Sequence, residues 1–241
     1  MPLLRVSDLQ KSFGGLRALD KLTFDVEEGK IIGVIGPNGA GKSTLFAVLT
    51  GFHPASDGAW WLDGKPLRGL PPEEICRRGM VRTFQIVQPF AGMTVLENAM
   101  VAAVSRSPTR AMAMRRAEEA LEWVGLSSKR NLPVPSLTLA DKKALEMAKA
   151  CASGARLILL DEVMAGLRPG EVERVVATIL TLREQRKLTF LIVEHLMDAV
   201  MALSDEILVL NFGALLARGS PEAIQTDAKV LEAYLGASLD A

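Results

Sequence analysis

Residues 30–44, "KIIGVIGPNGAGKST", constrain this chain more than any other stretch. "KIIGVIG" is a short apolar, β-branched run and reads as a strand buried on both faces. It leads into "GPNGAGKS", Gly36 to Ser43, which carries the spacing G-x-x-x-x-G-K-[ST]. "LFAVLTG" follows as a short helix closed by Gly51. A strand that turns into a helix through such a loop presents consecutive N–H groups at the helix N-terminus, and these cradle anions. Gly36, Gly39 and Gly41 open backbone angles closed to other residues and allow close approach to a phosphate. Lys42 is then placed to reach the β- and γ-phosphates of a nucleotide, and the Ser43 hydroxyl to ligate Mg²⁺. A chance glycine turn would not explain the strand before it and the helix after it.

The surrounding pattern agrees with such a loop. "RLILLDE" and "LTFLIVEH" read as two more buried strands, with "GEVERVVATILTLREQRK" as a long helix between them. Strands alternating with helices imply an α/β core built on a parallel sheet. Residues 3–27 alternate apolar and polar positions, with breaks at "GGL" and "DK", and predict an antiparallel β subdomain. "SDGAWWLDGKPL" reads as a hairpin, and "EILVLNFGALLARG" as another turning at Phe212–Gly213. From about 72 to 154 the pattern is mostly helical. In "RAMAMRRAEEALEWVGL", Ala113, Ala117, Ala120, Leu121 and Val124 share one face, and Gly125 is the stop. At 241 residues and 49% hydrophobic composition, the chain suits one large domain. The predicted division is a core with its β subdomain over about 1–84 and 155–241, and an inserted helical subdomain over about 85–154.

Composition narrows the function classes. Lys plus Arg and Asp plus Glu are each 28, and this balance argues against nucleic acid as a partner. Cys76 and Cys151 fit no metal or disulfide spacing and read as idle thiols in a reduced compartment. "MPLLRVSDLQ" lacks the basic and apolar regions of a secretory signal, and no apolar run reaches the ~18 residues of a membrane span. A soluble, cytoplasmic protein is expected, one still able to dock on a membrane protein.

Four polar positions stand at strand ends or at the insert boundary. "LILLDE" delivers Asp161 toward the Mg²⁺ region, and adjacent Glu162 is placed to polarise a water. Acidic residues also end strands for purely structural reasons, but the phosphate loop favours the chemical role. His195 follows "LTFLIV" at the end of a strand expected beside the phosphate-loop strand, where the ligands of such sheets collect. A hydrogen bond to the γ-phosphate follows from that placement. His53, in "GFHPASDG", reads as structural. Gln85, in "VRTFQIV", joins the core to the insert, where its amide can touch Mg²⁺ or the attacking water. "PSLTLADKKALEMAKA" begins a helix that Thr138 is placed to cap.

Together these parts resemble the ABC-transporter ATPase family over nearly the whole chain. "GPNGAGKST" is similar to its Walker A motif, which brings Asn38, Ala40 and Thr44 into the nucleotide-binding set. Gln85 resembles its Q-loop, "LILLDE" its Walker B motif with catalytic glutamate, and His195 its switch histidine. Phe13, in "KSFGG", falls where the family stacks an aromatic ring on adenine. "LTLAD", residues 137–141, takes the place of the signature Leu-Ser-Gly-Gly-Gln, which in the family binds the γ-phosphate held by the partner subunit. Thr138 keeps the hydroxyl, but both glycines are gone and Asp141 replaces the glutamine. That carboxylate would repel phosphate unless it points away or pairs with Lys142 or Lys143. Val163 and Arg168 replace the usual proline and aspartate, changes that imply tuning and not loss of activity.

A finer resemblance is to the ATPase subunits of branched-chain amino-acid importers, carried by "GMTVLENAMVAA", "MAGLRP", "IVEHLMDAVMALSDEILVLNFGALLARGSPEAI" and "VLEAYLG". It implies ATP and Mg²⁺ as cofactors and hydrolysis coupled to transport. It also implies a second ABC ATPase subunit, as hetero- or homodimer, two transmembrane permeases and, indirectly, a periplasmic solute-binding protein. The location implied is peripheral, on the cytoplasmic face of the inner membrane. Phe90, Met93 and Val95 are candidate contacts for a permease helix, or else core. Uptake ATPases for urea and amides and the lipopolysaccharide-export ATPase are similar. Two rivals are a cytosolic ABC ATPase acting on DNA or ribosomes, and an ATP-dependent interaction module with weak hydrolysis.

Overall fold

The computed structural model of the chain describes residues 1–85 and 87–236. Strands β1 (Leu4–Phe13) and β2 (Leu16–Val26) pair antiparallel, as the alternation implies. The expected break at Asp20–Lys21 is not a turn. Lys21 takes a left-handed φ of 50°, the pairing register shifts between Leu9 and Lys11, and the strand runs on through a bulge. Strand β3 (Ile31–Ile35) then feeds the glycine loop and helix α1 (Lys42–Leu49). Strands β4 (Asp57–Leu62) and β5 (Lys65–Pro66) form the hairpin and complete a four-stranded sheet in the order β2-β1-β4-β5. Trp60 anchors this sheet on α1: it is buried, and its Nε1–H donates to the Leu49 carbonyl at 3.0 Å. Burying a side chain of that size stabilises by roughly 4–6 kcal/mol.

Helix α2 (Pro72–Arg78) leads into strand β6 (Met80–Arg82), which the mostly helical reading of 72–154 did not contain. Three helices follow: α3 (Val95–Val104), α4 (Arg110–Trp123) and α5 (Leu139–Ala152). Ala113, Ala117, Ala120 and Leu121 of α4 are buried, and small side chains there let α3, α4 and α5 pack closely. Val124 caps α4 and is only half-buried. Strand β7 (Leu157–Asp161), helix α6 (Pro169–Arg186), strand β8 (Thr189–Val193), helix α7 (Met197–Leu203) and strand β9 (Glu206–Asn211) rebuild the alternating core. Strand β10 (Ala214–Gly219) closes a hairpin through Phe212 and Gly213, both at positive φ, and helices α8 (Pro221–Gln225) and α9 (Ala228–Gly236) end the described chain.

The main sheet has six strands in the order β10-β9-β3-β8-β7-β6, parallel except for β10. Strands β3, β7 and β8 are buried at every position, because the sheet is covered on both faces. Alternate residues supply two cores. Ile158, Leu160, Phe190 and Ile192 face the helical side, while Leu157, Leu159, Leu191 and Val193 pack with the antiparallel sheet and α1. The architecture is the expected one: an α/β core on a parallel sheet, an N-terminal antiparallel sheet, and a run of helices inserted between β6 and β7.

Strand register builds the site. Val34 of β3, Val193 of β8 and Asp161 of β7 stand in line across the sheet. The loops leaving these three strands therefore emerge side by side at the carboxyl edge, where open α/β sheets bind ligands.

Candidate functional site

The loop after β3 is held in shape by close backbone contacts. Gly36 sits at φ 151°, and a Cβ there would lie 2.1 Å from the Leu210 carbonyl oxygen. Gly213, at φ 80°, donates its N–H to the Ala40 carbonyl and accepts from the Asp20 N–H, so the β9–β10 turn ties the loop to β2. A Cβ on Gly213 would meet the Ala18 carbonyl at 2.7 Å, which reserves the position for glycine. Lys42 is buried, and its ammonium donates to the carbonyls of Gly36 at 2.7 Å and Pro37 at 3.0 Å. Burial pulls its pKa down, and the carboxylates of Glu162 and Asp161 pull the other way.

Around this loop lies a cleft of about 400 Å³. Its walls include Phe13, Asn38, Gly39, Ala40, Gly41, Lys42, Ser43 and Thr44, together with Glu162 and His195. The fold thus gathers most of the sequence-derived site at one place. Phe13 is 43% exposed, with its ring edge-on to His53 and Lys11 Nζ 4.6 Å from its centroid. His53, read from the sequence as structural, is exposed beside that ring. Arg17, which the sequence does not single out, also lines the cleft.

Glu162 sits at the centre of the polar contacts. It adopts a left-handed φ of 50°, a conformation that costs a non-glycine residue roughly 1–2 kcal/mol. Its N–H donates to the Val193 carbonyl at 2.9 Å. One carboxylate oxygen lies 2.9 Å from His195 Nε2, and the other accepts from Gln85 Nε2 at 2.5 Å. A glutamate from one strand end, a histidine from the next and a glutamine from the start of the insert thus converge on one carboxylate. Gln85 and His195, both expected near metal and phosphate, meet through the Glu162 carboxylate.

Asp161 is buried at the end of β7, and Arg82 of β6 donates to it at 2.5 Å. Arg82 escaped sequence reasoning, although a charge near the end of an otherwise apolar strand signals a buried partner. Among the described residues no three His, Cys, Asp or Glu side chains gather to hold a metal on their own. Mg²⁺ takes one or two protein oxygens and completes its shell with substrate phosphates and water, so Ser43 and Asp161 are donors of the right hardness.

Thr138 lies apart, in a second cleft with Lys129, Asp141 and Glu171. It caps α5 in a capping box: the Asp141 N–H donates to Thr138 Oγ1 at 3.2 Å, and the Thr138 N–H donates to Asp141 Oδ2 at 3.3 Å. Asp141 is paired with a lysine, but with neither Lys142 nor Lys143, the two that the sequence offered. Lys129 Nζ donates to both Asp141 oxygens at 2.7 Å. Burial pushes the Asp141 carboxyl up, but Lys129 and Thr138 outweigh it and the net shift is downward. Lys143 donates instead to the Glu162 main-chain carbonyl at 3.0 Å. Thr138→Ala is expected to cost about 1 kcal/mol, read as a fall of about 2–4 °C in the thermal unfolding midpoint. An unchanged midpoint would show that the box contributes nothing.

Of the candidate permease contacts, Phe90 and Met93 are exposed, whereas Val95 is fully buried as core. Asn98 fixes the Phe90 loop by accepting from the Phe90 N–H and donating to the Phe90 and Thr94 carbonyls. No helix among the described residues is long and apolar enough to cross a membrane.

The family profile described as ABC transporter matches residues 19–165, and that of the branched-chain amino acid ATP-binding cassette transporter matches residues 214–240. The high-affinity branched-chain amino acid transport ATP-binding protein BraF of Pseudomonas aeruginosa is 41% identical, with 98% of each chain covered. The ADP-conformation structure of MJ1267, an ATP-binding cassette of an ABC transporter, superposes with a TM-score of 0.88 at 32% identity, covering 98% of this chain and 99% of that one. The dimeric cassette MJ0796 shares the fold at a TM-score of 0.81 and 20% identity, over 90% of this chain and 98% of that one. With a phosphate loop, a strand-end glutamate and a histidine converging in one cleft, this chain belongs to the ATP-hydrolysing subunits of ABC transporters, on the branch that includes the branched-chain amino-acid transport ATP-binding proteins.

Proposed function

We propose that the chain powers an importer for branched-chain amino acids from the cytoplasmic face of the inner membrane. It would work there with a second ABC ATPase subunit, two transmembrane permeases and a periplasmic solute-binding protein. The near-complete match to BraF and the C-terminal profile support the substrate class. The observation that carries the catalytic reading is the convergence of His195 and Gln85 on Glu162 beside the Lys42 loop.

The roles follow from the placement. The loop from Gly36 to Thr44 holds the phosphates, with Lys42 as the charge on the β- and γ-phosphates. Phe13 offers its exposed ring to the adenine. Ser43 and Asp161 would hold Mg²⁺, which when bound neutralises phosphate charge; Arg82 keeps the Asp161 carboxylate compensated otherwise. Glu162 takes a proton from the attacking water. His195 and Gln85 orient that carboxylate, and both stand near enough to the cleft to pass to the γ-phosphate and its water. The helical segment, about 85–154, begins at Gln85, so any shift of the insert reaches Glu162 through that amide. Thr138 faces a different cleft and serves the nucleotide of the partner subunit.

Uptake by the assembled transporter in proteoliposomes tests the substrate class. ATP-dependent accumulation of leucine, isoleucine or valine is expected. Accumulation of urea or an amide with no response to these three would overturn the branched-chain assignment and leave the ATPase assignment intact.

A further inference from the structure

Two buried charges outside the nucleotide cleft bear on Glu162. Lys143 of α5 is 5% exposed, and its ammonium donates to the Glu162 main-chain carbonyl at 3.0 Å. Glu194, the residue before His195, is 2% exposed and accepts from the Met164 N–H at 2.7 Å. Neither side chain lines the cleft around the phosphate loop. Charged residues are rarely this buried without a partner or a task. Lys143 takes a position of α5 that the helical period assigns to the core, one turn before Met147 and two before Ala150, both buried.

We propose that Lys143 and Glu194 are positioning residues that clamp the left-handed Glu162 backbone and the loop after it, so that hydrolysis depends on where α5 stands. The clamp works from both sides. Lys143 holds the Glu162 carbonyl, the Val193 carbonyl holds the Glu162 N–H, and Glu194 holds the Met164 N–H two residues on. With the peptide fixed at each end, the left-handed turn aims the Glu162 carboxylate at His195 and Gln85. Burial drives the two charges toward their neutral forms, while Lys143 and Glu194 attract each other in opposition. Because Lys143 rides on α5, the helix capped by Thr138, a shift of that helix releases one side of the clamp.

This inference rests on the catalytic reading of Glu162. Its test is steady-state ATP turnover of the assembled transporter carrying Lys143→Met, which keeps the length of the side chain and removes the donor and the charge. We expect kcat to fall about tenfold or more, with KM for ATP and affinity for a non-hydrolysable ATP analogue within twofold of wild type. Lys143→Arg, which restores donor and charge, should recover most of the loss. A kcat within twofold of wild type in Lys143→Met would overturn the proposal, as would an equal loss of turnover and analogue affinity in both lysine variants. If Lys143→Met does not fold, Glu194→Leu, which removes the acceptor for the Met164 N–H, carries the test: a fall in kcat at constant KM supports the clamp, and unchanged kcat overturns it. Glu162→Gln measured alongside separates the levels. Turnover in that variant equal to wild type defeats the catalytic reading itself, whereas arrest there with normal Lys143→Met turnover defeats only the clamp.

Discussion

Glu162→Gln is expected to cut ATP turnover by about 10²-fold or more while ATP binding persists. The amide matches the carboxylate in size and can keep both contacts, accepting from Gln85 and facing His195, so the backbone turn at Glu162 should survive. What disappears is the ability to take a proton from water. Cleavage then stalls with ATP bound, and ATP-held dimers should accumulate. Single-turnover cleavage of labelled ATP, together with sizing of the complex in ATP, checks both parts. A rate equal to wild type would assign the proton transfer to another group.

Lys42→Ala is expected to abolish tight ATP binding. The ammonium is the positive charge most deeply set in the loop, and it now rests on the Gly36 and Pro37 carbonyls. Passing from two neutral oxygens to phosphate oxygens gives charge-assisted bonds worth about 1.5–3 kcal/mol each. Losing two of them weakens binding by about 10²-fold or more. Burial strengthens the effect, because water does not take the place of the ammonium easily. Titration with an ATP analogue reads the loss directly. Unchanged affinity would mean that the loop does not hold the phosphates.

Much of the architecture is legible in the sequence wherever a local rule acts. The buried strand before Gly36, the strand ending at Asp161 and the turn at Phe212–Gly213 each follow from composition over a few residues. β6 was not legible, because three residues at a sheet edge give no periodicity and the strand exists only through its pairing with β7. The bulge at Lys21 mimics a turn in sequence, and only the pairing with β1 shows that the strand continues. At the site, residue types were legible and contacts were not. Nothing near Asp141 in the chain points to Lys129, since the loop that brings them together is folded by α4 and α5. Lys143 left a trace that periodicity alone can detect, a charge on the buried face of a helix. Its partner, the Glu162 carbonyl, belongs to a strand end that no local rule connects to α5.

We propose that this chain supplies a full hydrolytic set, Lys42, Asp161, Glu162 and His195, to a site that a second ATPase subunit completes. The most direct measurement is ATP turnover per chain as a function of concentration, for the chain mixed with its partner ATPase subunit. Turnover per chain should be near zero at high dilution, rise as the subunits associate, and vanish at all concentrations in Glu162→Gln. Constant turnover per chain down to the greatest dilution would place a complete active site within a single chain and leave the second subunit without a catalytic part.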